Sequence, residues 1–332
     1  MVRRVELPEL LRPPAQRGPL IASGAVLLTV ALALEEQRLD EVLPNGLHVL
    51  IVAAAAGLIL ALGLQAELPE AGEPAAYQSV LIVCGLLLLE LALLQLANLL
   101  GADFDGIVPT GALVWTSLLL CAAALYPAVR RNSAISAMIA AVALGAALLA
   151  AANWILGADS QAIYRWLLLA LAVAFAGASV VLRAARPRHA ELMVITAGLA
   201  TLAIVLVASV GALVIAFAGF GTTGLEAGFL PGFWELVVLA AGCGLIAYGA
   251  LDRVPGAAWL GFAHLFAFVV AASSGADDTL LWWPLVLLVL GAGVLAAGLR
   301  PLQPGYAGGA AQPAYAGEEE ITLRVRNDEP PA

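Results

Sequence analysis

Apolar runs of about twenty residues recur along the whole chain, separated by short stretches holding arginine, aspartate, glycine or proline. A bilayer core about 30 Å thick is crossed by about 20 helical residues. On that measure the pattern predicts ten spans: 19–35, 46–64, 79–100, 111–129, 133–156, 162–182, 191–218, 232–250, 256–273 and 279–299. The seventh run is long enough to be tilted or to end early. In hydrocarbon each span must satisfy its own backbone hydrogen bonds, which a helix does within one segment. The short alternating segments of a membrane β-barrel are absent. The expected fold is therefore an all-α, polytopic integral membrane protein. It comprises a cytoplasmic N-terminal segment (1–18), a ten-span membrane domain (19–300) and a flexible cytoplasmic tail (301–332).

The turns repeat. ANLLGAD (97–103), ANWILGAD (152–159) and SSGADD (273–278) each close an outgoing run. Glycine just past a helix suits the left-handed C′ position, and Asp159 or Asp278 can cap the returning helix. Turn glycines fall at Gly46, Gly101, Gly157, Gly219–Gly221 and Gly275, the spacing of one helical hairpin. The chain thus reads as five hairpins around a small-residue interior. Asp103, Asp105, Asp159, Asp277 and Asp278 could form a ring of external carboxylates, but capping already accounts for them. Asp-x-Asp-Gly in GADFDG lacks the remaining ligands of a calcium loop.

Arginine sets the orientation. With the N-terminus inside, thirteen of the fifteen arginines face the cytoplasm, and Arg38 and Arg165 face outward. Trp115, Trp154, Trp166, Trp234, Trp282 and Trp283 gather at the outer interface, and Trp259 lies at the inner one. MVRR followed by an apolar run and Ala31-Leu32-Ala33 resembles a signal peptide. Glu6, Glu9 and the Pro13-Pro14 pair in the lead-in argue that the first run is kept as a span.

Composition agrees: 62% of residues are hydrophobic and 12% charged, against about 25% charged in soluble domains. A net charge of −9 without a basic stripe excludes a general nucleic-acid binder. Cys84, Cys121 and Cys243 lie inside apolar runs and have neither disulfide nor zinc spacing, so they read as packing residues. The basic residues are all arginine, in a chain rich in Ala, Leu and Gly. In that style it resembles multi-pass membrane proteins of GC-rich actinobacteria. Spans one to five (19–156) and six to ten (162–299) are nearly equal in length. In span count and size this resembles the drug/metabolite transporter superfamily, which implies two inverted five-helix halves.

Two ionisable residues fall mid-span. Glu90 sits in LLLLELALLQLANLL, where the cost of a central charge, about 2.5–3.5 kcal/mol, is offset by leucines worth about 0.5 kcal/mol each. Gln95 and Asn98 lie on a neighbouring arc of the same helix. His264 sits in GFAHLFAF, on a face shared with Ala257, Gly261, Ala267 and Ala271, and so is expected to meet another helix. Glu90 and His264 fall at similar depth and could share a cavity and exchange a proton. Alternatively each is held by packing, Glu90 through Thr116 or Ser117. Glu235 and Arg165, near the outer boundary, are expected to snorkel or cap; His48 and His189 read as interfacial.

No span interior holds a proline, and there is no HExxH, GxSxG, Walker lysine or CxxC, so no enzyme, metal or cofactor chemistry is expected. In the tail, QPGYAGG and QPAYAGE make a linker before EEEITLRVRND. Ile321, Leu323 and Val325 alternate there with polar residues, which suits strand addition to a cytoplasmic protein partner through 318–328. A disordered end is the alternative. Two functional readings follow. One is a non-enzymatic inner-membrane component, structural or regulatory, presenting its tail to that partner. The other is a proton-coupled carrier of a small organic solute, with Glu90 and His264 at its centre. In a cysteine-free background, Asn132→Cys is expected to react with an impermeant thiol reagent only from the cytoplasmic side, and Asp105→Cys only from outside. The opposite pattern would invert the topology.

Overall fold

The computed structural model describes residues 17–39, 44–66, 74–102, 109–156, 161–218 and 232–274. These form helices α1 (Gly18–Leu39), α2 (Asn45–Gln65), α3 (Ala76–Leu99), α4 (Thr110–Arg130), α5 (Ala134–Leu156), α6 (Gln161–Leu182), α7 (Pro187–Ala218), α8 (Gly232–Leu251) and α9 (Pro255–Ser274). Among the described residues there is no strand. Seven helices, α2 to α8, are long and apolar enough to cross a membrane. The apolar stretches of α1 and α9 are shorter, Gly18–Leu34 and Pro255–Val269. The tenth run (279–299), the tail and most of the Gly-Ala-Asp turns lie outside the described residues.

Prolines mark where helices begin. Pro187 and Pro255 open α7 and α9, and Pro44 and Pro109 immediately precede α2 and α4. A proline there loses no hydrogen bond, because the first helical N–H groups have no intrahelical acceptor. At the start of α3 the Gln78 side chain reaches back to accept from the Ala75 N–H, at 3.0 Å. Gly101 ends α3 as expected from the sequence: it has φ +93°, its N–H donates to Asn98, and the Ala102 N–H donates to Ala97. Gly46 does not play that part. It lies in the first turn of α2, not past the end of α1.

Among the described residues, every substantial helix–helix contact joins helices one or two places apart in the chain. The odd helices α1, α3, α5, α7 and α9 form a continuous row, each touching the next. Each even helix lies against the two odd helices that flank it in sequence, without substantial packing between even helices. On α3, one face packs Leu81, Cys84 and Leu88 with α1 and α2, while Ile82 and Leu86 pack with α4 and α5. This arrangement revises the expected hairpins. The closest pairs are α2/α3, α4/α5, α6/α7 and α8/α9, one helix later than the turn repeat predicts. Three of these pairs close through the short turns at Arg131–Ser133, Arg183–Arg186 and Asp252–Val254. Nor do five helices close into a separate half, since α5 packs on α7.

Small residues decide which pairs come close. A Cβ on Gly85 of α3 would meet Leu60 of α2 at 2.5 Å. In the α8/α9 pair, a Cβ on Gly261 would lie 2.7 Å from the Gly242 carbonyl, and one on Gly249 would lie 2.7 Å from the Ala258 nitrogen. Backbones this near gain dispersion contacts that lipid cannot supply. At their ends the even helices are tied by polar and ring contacts. Arg131 Nη1 donates to the Ala66 carbonyl past α2 (3.1 Å), and Arg183 Nη2 contacts both Asp252 oxygens at 2.8 Å. At the other end Trp166 of α6 meets Phe233 and Trp234 of α8, with ring centroids 5.8 and 5.0 Å away.

Gly261→Ala is expected to destabilise the protein by about 1–3 kcal/mol through overpacking. Gly244→Ala, whose Cβ would meet nothing within 4 Å, should be neutral or stabilising. Thermal unfolding of the two variants in the same detergent compares them directly.

Candidate functional site

Four odd helices, α1, α3, α5 and α7, flank an open groove of about 850 Å³, along which Val26, Val30 and Leu87 are exposed. Its walls are Val26 and Val30 of α1 and Val80, Val83, Cys84 and Leu87 of α3. Its polar rim comes from the arginine-bearing turns: Asn132 and Ser133 before α5, and Arg188 and Glu191 in the first turns of α7. Thr29 and Ser79 add hydroxyls. α3, α5 and α7 all begin at this end, so residues of their first turns form the mouth and later residues the depth. From Ser79 to Leu87 the cavity follows eight residues of helix, about 12 Å.

The rim is built by a specific turn. Asn132 adopts φ 51°, a left-handed conformation that asparagine tolerates better than most residues. Ser133 then begins the approach to α5. Its Oγ accepts from the Ser136 hydroxyl at 2.8 Å and from the Ser136 N–H at 3.4 Å. Both serines are buried, so this pair turns their polar atoms on each other and leaves Asn132, Arg188 and Glu191 as the polar groups of the mouth. An apolar body with a few convergent polar groups at one end is the usual construction of a small-molecule site.

The residues singled out in the sequence fall as follows. Glu90 is half-buried on α3, within hydrogen-bonding reach of Thr116 on α4, and its Oε2 is buried without a partner. At 100° per residue it lies one turn beyond Leu87 on the stripe that lines the cavity. Both amide atoms of Gln95 are likewise buried and unpartnered, whereas Asn98 is exposed at the end of α3.

His264 is not brought to Glu90. It is fully buried on α9, which packs against α7 and α8, whereas α3 packs against α1, α2, α4 and α5. Its ring nitrogens lie 2.8 Å from Thr201 Oγ1 and from the Leu260 carbonyl. The expectation that His264 faces another helix across small residues holds: a Cβ on Gly242 of α8 would lie 2.9 Å from the His264 Cβ.

Other expectations are corrected. Arg165 and Glu235 do not snorkel; both are buried, beside the Trp166–Trp234 cluster. His48 and His189 are buried too, in the early turns of α2 and α7. The rim residues Asn132, Ser133, Arg188 and Glu191 were not singled out. Among the described residues no three His, Cys, Asp or Glu side chains converge as a metal site would require.

Comparison with known proteins adds no relatives: no family model, no curated protein and no solved structure matches this chain.

An unpartnered carboxyl oxygen in an apolar helix contributes nothing to packing. Glu90→Leu is therefore expected to raise stability by about 1–3 kcal/mol, the mutational cost of a buried unsatisfied polar group. Thermal unfolding checks this, and a loss of stability would mean that Glu90 is a structural hydrogen-bonding residue.

Proposed function

We propose that this protein is a non-enzymatic, multi-pass membrane carrier of a small amphiphilic organic solute, entered from the arginine-bearing end of the helices. One observation carries the reading: the groove of about 850 Å³ among α1, α3, α5 and α7, apolar in depth and polar at its rim. Valine and leucine walls suit the hydrocarbon or aromatic body of such a solute. Asn132, Arg188 and Glu191 suit its polar head. Glu90, one turn deeper on α3, is the ionisable group placed to couple movement to a proton, acting without His264.

The excess of arginine at this end supports a cytoplasmic mouth in the inner membrane. This reading is preferred to a purely structural or regulatory component because the groove joins an apolar body to polar groups at one end, as a small-molecule site does. Presentation of residues 318–328 to a cytoplasmic protein is compatible with either.

The cavity carries its own reporter. Cys84 is buried and lines the cavity, Cys121 packs between α3 and α4, and Cys243 is exposed on α8. With Cys121 and Cys243 replaced by alanine, Cys84 is expected to react with a small cationic thiosulfonate applied from the arginine side, and Leu87→Trp should slow that reaction at least tenfold. A Cys84 that reacts no faster than Cys121 in the converse variant would show that the cavity is closed to water, and the carrier reading would fall.

A further inference from the structure

We propose that His264, with Thr201 and the Leu260 carbonyl, is a proton-binding site at the α7/α9 contact, and that its proton sets the direction of the Thr201 hydroxyl. The inference stands whether or not the odd-row cavity carries a solute.

The hydrogen-bond inventory forces the two states. Nδ1 lies 2.8 Å from the Leu260 carbonyl. A carbonyl only accepts, so Nδ1 carries hydrogen in every state. Nε2 lies 2.8 Å from Thr201 Oγ1, and the same hydroxyl lies 2.9 Å from the Gly198 carbonyl. The hydroxyl has one hydrogen for two neighbours. With a neutral imidazole it donates to the bare Nε2. When a proton from water binds Nε2, that N–H donates to Oγ1 and the hydroxyl turns its own hydrogen to Gly198. No bond between heavy atoms breaks; one proton is gained and one hydroxyl rotates.

Among the described residues, the polar groups facing the imidazole are Thr201 and the carbonyls of Leu260 and Gly198. From α8 the neighbour is Gly242, and from α7 Thr201 and Gly198, the carbonyl of Gly198 also facing the ring. His189 and Glu191 of α7 lie about three turns from Thr201. Glu235 and Tyr248 of α8 lie about two turns from Gly242, and Cys243 is exposed. Thr201 also lines a separate, mostly apolar cavity of about 340 Å³ between α6, α7 and α8, whose far wall includes Tyr248. The hydroxyl therefore stands between the buried imidazole and this apolar space.

The test is nitrogen NMR of the full chain, labelled at its three histidines, in lipid nanodiscs, with His264 assigned through His264→Gln. The expected spectrum at alkaline pH has Nδ1 protonated and Nε2 bare. Acidification from about pH 8 to about pH 4 should protonate Nε2 reversibly. Thr201→Val should displace the midpoint, and Thr201→Ser should retain it. An Nε2-protonated tautomer at alkaline pH, an unchanging spectrum, or a midpoint indifferent to Thr201→Val would each overturn the proposal. The tautomer and its titration are read on the unaltered chain, so they decide even if a variant fails to fold.

Discussion

Close approach of backbones at small residues is the constraint on which this fold depends. Each helix already satisfies its own hydrogen bonds, and lipid tails are as apolar as the helix surfaces, so leucine alone gives two helices little reason to associate. What lipid cannot match is backbone on backbone. Gly242 and Gly261 let α8 and α9 meet, Gly85 lets α3 take Leu60 of α2, and alanines dominate the buried positions of α5. The bulky apolar residues are mostly turned outward: Leu20, Leu27, Val180, Val181 and Phe266 are each more than 70% exposed, where a bilayer would cover them.

The row of odd helices follows from where those small residues lie. Each odd helix between the ends has two packing faces, one for each neighbouring even helix, and touches the next odd helix between them. The even helices need only one groove each. They are fastened to one another at their ends, by Arg183–Asp252 on one side and Trp166 with Trp234 on the other. An exposed ion pair contributes at most about 1 kcal/mol, so this fastening sets spacing more than it adds stability. The same geometry leaves room in two places. One is the face of α1, α3, α5 and α7, whose rim is polar; the other is the space between α6 and α8, whose walls are almost entirely apolar.

Much of this was legible in the chain. Nine of the ten apolar runs coincide with described helices to within a few residues, because length and hydropathy are local properties. The glycine at 101 was readable for the same reason: a turn is made by its own residues. The pairing of Glu90 with His264 was not, since equal depth in the membrane says nothing about which helices are neighbours. The partner of His264 was a threonine 63 residues away, and threonine is too common in such helices to stand out. The hairpin register was misread because the repeat lies in the turn sequences, whereas proximity is decided by glycine and alanine faces along the helices. The burial of Arg165 and Glu235 was not legible because it arises where α6 and α8 meet, at the Trp166–Trp234 contact, and not within either helix alone.

The nearest-neighbour pattern of the helices also bears on how such a chain assembles. Each helix finds its packing partners among the one or two that precede and follow it. Few long loops must close before contacts form, so contact order is low and the conformational search is short. During synthesis, α3 could dock on α2 and α1 as soon as it enters the bilayer, and α5 on α4 and α3 after it. Assembly of the described helices would then proceed as ordered growth from the N-terminal end, with none of them left waiting in lipid for a distant mate.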